Sequence, residues 1–165
     1  MRKRVLTVAA VLLATASVVL TGGVASARPD RPSTHDHKAA IGIVRLDGQQ
    51  EVPGPGDADG RGVFAYAAFG DHLCYVLTAR NIEPAALAHI HAGARGVAGG
   101  IVIMLTAPTD GLSADCITAV DNSTPNTMDV LLQSELDAII ADPSAFYANV
   151  HNAPFPAGAI RGQLR

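Results

Sequence analysis

From residue 41 to residue 164 the chain is cut by turn-forming residues into short stretches of strand-forming sequence, and that rhythm leaves an all-β sandwich or barrel as its fold. Residues 41–46 read as a first strand, ended by the irregular run Asp47-Gly48-Gln49-Gln50-Glu51-Val52-Pro53-Gly54-Pro55-Gly56. Residues 62–69 alternate Val63, Ala65, Ala67 and Phe69 with Phe64, Tyr66 and Ala68, so both faces of that strand are largely apolar. Phe69-Gly70-Asp71-His72-Leu73 makes a tight hairpin with His72 at its exposed tip, and residues 73–80 return as a third strand. A loop at 81–86 leads into a strand carrying His89 and His91. The glycine-rich run 92–100 connects it to Ile101–Leu105, continuously apolar as a strand in the centre of a sandwich would be. Residues 144–151 and 159–164 read as the last two strands, joined by the loop 152–158.

One helix is expected over residues 126–141. Met128, Leu131, Leu132, Leu136, Ile139 and Ile140 recur at three- and four-residue intervals and form one apolar stripe. Asn126 or Thr127 suits its N-cap, Asp129 its first turn, and Asp142-Pro143 its end. Glu135 and Asp137 then read as a solvated face, with the helix closing one end or edge of the sandwich.

The first 27 residues have the form of a signal peptide: a basic start at Arg2, Lys3 and Arg4, an apolar stretch at 5–20, and the small-x-small pattern Ala25-Ser26-Ala27. Nothing after it has the roughly 18 uninterrupted apolar residues a membrane span needs, so a secreted chain without a span after cleavage is expected. Residues 28–40 form a flexible polar leader whose His35 and His37 read as parts of a solvated tail, and 41–165 form one domain. With 16% charged residues and a net charge of −3, the chain lacks the clustered basic surface that nucleic acid would require. An extracellular protein or small ligand is the partner class that remains.

Cys74 and Cys116 are the only cysteines. An even count in an exported chain predicts one disulfide, and the absence of a Cys-x-x-Cys spacing weighs against a metal pair or catalytic thiol.

A strand repeats every two residues, so His89 and His91 leave it on one face. A third histidine, His151, stands in a similar strand near the chain end, close to Asn149 and followed by Arg161. Three chemistries are open to these imidazoles. They can form a structural network, hydrogen-bonded to one another, to Asn149 or to Arg161. They can supply three nitrogens for copper or zinc. They can act as general acid and base, although no Ser/His/Asp elbow or comparable constellation accompanies them. Arg161 separates the first two, since a guanidinium lodged against the imidazoles disfavours a divalent ion and one turned away leaves the site open. The glycine-rich run is not a phosphate loop, because it lacks the Gly-Lys-Ser/Thr ending and joins strand to strand.

Five segments carry a family resemblance: Leu46-Asp47-Gly48-Gln49-Gln50-Glu51-Val52-Pro53, Leu73-Cys74-Tyr75, Ala88-His89-Ile90-His91-Ala92-Gly93, Phe146-Tyr147-Ala148-Asn149-Val150-His151 and Pro156-Ala157-Gly158-Ala159-Ile160-Arg161-Gly162-Gln163-Leu164. In order and spacing they resemble the CHRD domain, the module named after chordin, of the kind found singly in secreted bacterial proteins. The resemblance implies an immunoglobulin-like or superoxide-dismutase-like antiparallel β-sandwich, here with one short α-helix. It implies no enzymatic activity, and the growth-factor binding of animal chordins involves modules this chain does not carry. Copper/zinc superoxide dismutases also place a His-x-His strand in a β-sandwich, but no histidine- and aspartate-bearing loop for their second metal is present here. The expectation is therefore a non-catalytic extracellular binding or structural module, with a three-histidine copper or zinc binder as the alternative.

Overall fold

The computed structural model describes residues 38–165. The expected signal segment and the expected leader up to residue 37, with His35 and His37, lie outside the described residues. Among the described residues there are eight strands, β1 Ala39–Asp47, β2 Arg61–Phe69, β3 His72–Arg80, β4 Ala85–Ala92, β5 Ile101–Leu105, β6 Leu112–Thr118, β7 Phe146–Asn152 and β8 Ile160–Gln163, and one α-helix, α1 Gln133–Ala141. They pair antiparallel in the order β5-β4-β7-β8-β1-β2-β3-β6. β1 and β8 share one register pair, Asp47 with Arg161. That junction divides the sheet into two four-stranded halves.

The halves close over one core. Phe64, Tyr66, Leu73, Tyr75 and Leu77 enter it from one side, and Ala88, Ile90, Ala148, Val150 and Ile160 from the other. Phe64 stacks on Tyr66 at 5.6 Å and meets Tyr75 at 5.7 Å between ring centroids. The two free edges are drawn together where Ser113 Oγ donates to the Thr106 carbonyl at 2.7 Å and the Thr106 N–H donates to the Tyr75 hydroxyl at 2.8 Å. The result is the expected antiparallel β-sandwich, nearly closed, with one helix.

Several local expectations need correction. β1 begins at Ala39, inside the segment expected as leader. β5 lies at the edge of the sheet rather than its centre. Its apolar run is explained by burial of Val102, Ile103 and Leu105 and by cover along its outer side, where the Met104 N–H donates to the Met128 carbonyl at 2.7 Å. β6 has no counterpart among the expected strands: it is an edge strand whose one buried side chain is Ser113, so it carries no apolar period. On β2 only the Phe64, Tyr66 and Ala68 face is core. Val63 and Phe69 on the other face are open to solvent.

The helix is shorter than its apolar stripe. Residues 126–132 remain irregular because their backbone groups are committed elsewhere. The Leu131 carbonyl accepts from Val120 N–H, and Val120 and Leu132 form an isolated parallel bridge. Leu131 and Leu132 are still buried, whereas Met128 is half exposed. α1 is capped by other residues than those expected: the Asn122 side chain accepts from Ser134 N–H at 2.9 Å, and Glu135 accepts from the Leu132 N–H at 2.9 Å and from Asn126 at 2.9 Å. Glu135 is thus a capping residue rather than part of a merely solvated face. Leu136 and Ile139 are fully buried, each contributing roughly 1.5–3 kcal/mol. The turn Pro143–Ala145 is a short 3-10 helix, so β7 starts at Phe146.

Cys74 and Cys116 are bonded, on directly opposed register positions of β3 and β6. The bridge fastens the edge strand whose side chains bury least. Replacing both cysteines by alanine is expected to lower unfolding free energy by about 2–4 kcal/mol in urea titration while far-UV circular dichroism remains that of a β-sandwich.

Candidate functional site

The half-sheet β4-β7-β8 has two different faces, and strand periodicity assigns every residue to one or the other. The inner face carries Ala88, Ile90, Ala148, Val150 and Ile160, all fully buried. The outer face carries His89 and His91 from β4, Tyr147, Asn149 and His151 from β7, and Arg161 and Gln163 from β8. Register aligns His91 with Tyr147 and Gln163, and His89 with Asn149 and Arg161. Polar groups on an outer face would ordinarily be solvated. Here the glycine-rich loop after β4 and the 152–158 loop cover them, leaving His89 and Arg161 3% and 1% exposed.

Arg161 and Gln163 hold the first of these loops down. Arg161 donates to the Val97 carbonyl at 2.9 Å, the Ala94 carbonyl at 3.0 Å and Gln163 Oε1 at 3.3 Å. Gln163 Nε2 donates to the carbonyls of Gly93, Ser144 and Phe146 at 2.7–2.8 Å. The returning loop lies so close to β4 that a Cβ on Gly99 would overlap the Ala92 carbonyl oxygen. Only glycine fits there, and its carbonyl is thereby presented to His91.

The three histidines converge as the alternation and the β4–β7 pairing dictate. One nitrogen from each of His89, His91 and His151 lies within 4.8 Å of the others. His91 Nδ1 donates to the Gly99 carbonyl at 3.0 Å, and His151 Nδ1 donates to the Pro156 carbonyl at 3.1 Å. Each carbonyl fixes its ring as the tautomer with a free lone pair on Nε2. His151 Nε2 stands 3.2 Å from His89 Nδ1, which donates to it. His91 Nε2 is buried with no partner, and so is Asn149 Oδ1, which faces both His89 and His91. Orphaned polar atoms of this kind cost roughly 1–3 kcal/mol each.

Arg161 spends its hydrogen bonds away from the imidazoles, although its charge still helps to lower His91. Its guanidinium lies 3.4 Å from the centroid of the Tyr147 ring, while His91 stacks on that ring at 4.7 Å with an interplanar angle of 3°. Because β4 and β8 flank β7 on opposite sides, Tyr147 stands between the cation and His91. Tyr147 is held in turn by Gly99 N–H, which donates to its hydroxyl at 3.2 Å.

The cluster is electrically neutral at ordinary pH. Burial, then the neighbouring His151 and His91, push His89 down to about 4 against an opposing contribution from Asn149. Burial likewise lowers His91, with His151 and the Arg161 charge adding to it against the Gly99 carbonyl and Asn149, and burial lowers His151 against the Pro156 carbonyl. His91 and His151 each keep a lone pair on the ring nitrogen away from its backbone carbonyl, and moving the His89 proton from Nδ1 to Nε2 would complete the three neutral nitrogen donors that a transition-metal ion requires. Two nitrogens on a tetrahedral zinc or copper ion stand about 3.3 Å apart, close to the separation of His89 and His151.

A profile of the CHRD domain matches residues 43–164. The chain is a member of the CHRD domain family. No curated protein and no solved structure matches it. The CHRD segments singled out in the sequence now have physical places: the Ala88–Gly93 and Phe146–His151 segments supply the three histidines, Tyr147 and Asn149, and the final segment supplies Arg161 and Gln163. His72 stands apart from this site, half exposed beside Asp71 at 3.3 Å and Thr118 at 3.2 Å. Among the described residues no helix is long and apolar enough to cross a membrane.

Sequence reasoning missed Glu51. It lies in the irregular run after β1, 7% exposed, against Gly158 of the loop that fixes His151, where a Cβ would collide with its carboxyl group. Its Oε1 has no partner. Burial raises it from 4.5 to about 7, against the opposing pull of Arg161 and of the Val52 N–H. The folded CHRD domain therefore keeps a proton there that the unfolded chain gives up above pH 4.5. The associated stability is complete below pH 4.5 and is lost as pH rises through about 7. The histidines act oppositely: their contribution is complete above 6.5 and is lost as pH falls toward about 4. Glu51→Gln keeps a neutral side chain at every pH. By chemical denaturation it is expected to exceed the parent by about 1–3 kcal/mol near pH 8, with no gain at about pH 4.5.

Proposed function

We propose that this CHRD-domain chain is a secreted, non-catalytic binding module whose ligand is a transition-metal ion, copper or zinc, held by His89, His91 and His151. The observation that carries the reading is the buried, unpartnered Nε2 of His91, directed toward two further imidazoles while its own Nδ1–H is anchored on the Gly99 carbonyl. In metal sites a ligating histidine commonly donates its far ring N–H to a backbone carbonyl, which fixes its orientation. The proton shared by His89 and His151 occupies the place the ion would take, and the ion would engage the His91 lone pair that the proton leaves idle. The position of Arg161 supports the same reading, since its charge is turned to the Ala94 and Val97 carbonyls behind Tyr147. Secretion is supported by the basic start, apolar stretch and cleavage pattern of the first 27 residues.

A second reading has its own observation. The hydrogen bond between His89 and His151 ties β4 to β7 without any metal, as an architectural network would.

Titration of the mature chain with copper and with zinc decides between them. One equivalent is expected to bind at micromolar or lower dissociation constant, to raise the melting temperature, and to lose at least about a hundredfold in affinity in His91→Gln. Absence of stoichiometric binding by either metal, with His91→Gln altering stability alone, would assign the cluster to architecture.

A further inference from the structure

Asn149 stands in the middle of the histidine cluster, and its side-chain oxygen makes no hydrogen bond. On β7 it lies between Tyr147 and His151, and across the sheet it is paired with His89 on one side and Arg161 on the other. It is 2% exposed. A carbonyl oxygen buried to that degree ordinarily has a partner. Arg161 is the neighbour best equipped to supply one, yet its N–H groups go to the Ala94 and Val97 carbonyls and to Gln163 Oε1. On the other side, Asn149 Oδ1 faces His89 and His91. The His91 ring gives its Nδ1–H to the Gly99 carbonyl, so the nitrogen it leaves free is Nε2, itself buried and unpartnered. Two acceptors therefore meet with no hydrogen between them. The His89 proton satisfies His151 Nε2 and neither of these atoms. A cation is attracted to all of these lone pairs at once.

We infer that the Asn149 side-chain oxygen is the fourth ligand of the ion held by His89, His91 and His151, closing the shell to water and favouring a divalent ion over a cuprous one. This rests on the metal-binding reading of the cluster and adds to it a ligand and a preference. Four protein ligands fill the tetrahedral shell of zinc, as in structural sites, whereas catalytic sites hold three and keep a position open. An amide oxygen is a harder donor than imidazole and suits a divalent ion, while cuprous ion favours the soft sulfur of Cys or Met. Cys74 and Cys116 are spent in the disulfide. Met104 of β5 pairs with His89 in register, but β5 lies on the side of β4 away from β7, which carries Asn149 and His151. The donor at the centre of the cluster is thus oxygen.

The test compares the mature chain with Asn149→Leu, which keeps the volume and loses the oxygen, and Asn149→Asp, which keeps an oxygen, both checked for folding by their melting curves. Zinc and copper(I) affinities are read by competition with chromophoric chelators. Metal-bound water is read by proton relaxation of the cobalt(II)-loaded chain, cobalt standing in for zinc. The parental cobalt is expected to carry no exchangeable water. Asn149→Leu is expected to weaken zinc at least about tenfold, to leave copper(I) within about threefold, and to admit water to the cobalt. Asn149→Asp is expected to bind zinc more tightly than Asn149→Leu. Exchangeable water on the parental cobalt overturns the inference whatever the variants do. So does an Asn149→Leu chain with parental or tighter zinc affinity, the result for an amide turned to give its N–H to His91, and so does an equal loss for zinc and copper(I). Each of these leaves the loss of binding in His91→Gln, and with it the metal site, standing; a parent that binds neither metal removes both.

Discussion

The buried guanidinium of Arg161 is the interaction on which the rest of this CHRD domain depends. It sits on β8 at the one register pair that joins the two halves of the sheet, so its strand is both the hinge of the sandwich and a wall of the site. A charge so deeply buried must find hydrogen bonds or cost several kcal/mol. It finds them in carbonyls of the glycine-rich loop and in the face of Tyr147. That requirement brings the loop down over β4, which places the Gly99 carbonyl on His91 and the Gly99 N–H on the Tyr147 hydroxyl. One buried cation thereby sets, through the loop, the tautomer of an imidazole to which it donates no hydrogen bond.

The same half-sheet separates two kinds of chemistry by nothing more than strand alternation. Ile90, between His89 and His91, and Val150, between Asn149 and His151, are core residues at 0% exposure. The imidazoles are therefore mounted on a rigid aliphatic layer. Their outer cover is mainly backbone, contributed by loops rich in glycine and proline, and backbone carbonyls are the groups that orient them. Glu51 adds a buried carboxyl group to this assembly, held against Gly158 and influenced by Arg161.

The period-two rule placed His89 and His91 on one face, and the turn residues marked out seven of the eight strands. The pairing of β4 with β7 is a long-range contact that no local pattern encodes, so the joining of His151 to the other two histidines became visible only with the register. β6 escaped notice because an edge strand needs only one buried side chain, and Ser113 gives no hydrophobic signal. The start of the helix misled in the opposite way. Leu131 and Leu132 are as buried as a helical stripe demands, but Val120 takes their backbone partners, and burial by itself does not distinguish a helix from a covering strand. Gly99 and Pro156 act through main-chain oxygens, which the residue type does not announce. Glu51 lay within a recognised family segment, yet its burial depends on the distant Gly158.

His89 and His151 are 62 residues apart in the chain and meet only because β4 and β7 are paired. In the unfolded chain that pair has no fixed geometry, and the oxygen of Gly99 has no reason to face His91. The site is therefore a property of the completed sandwich. A ligand held there would bind the folded chain in preference to the unfolded one, and would stabilise the domain by an amount that grows with the ratio of its free concentration to its dissociation constant.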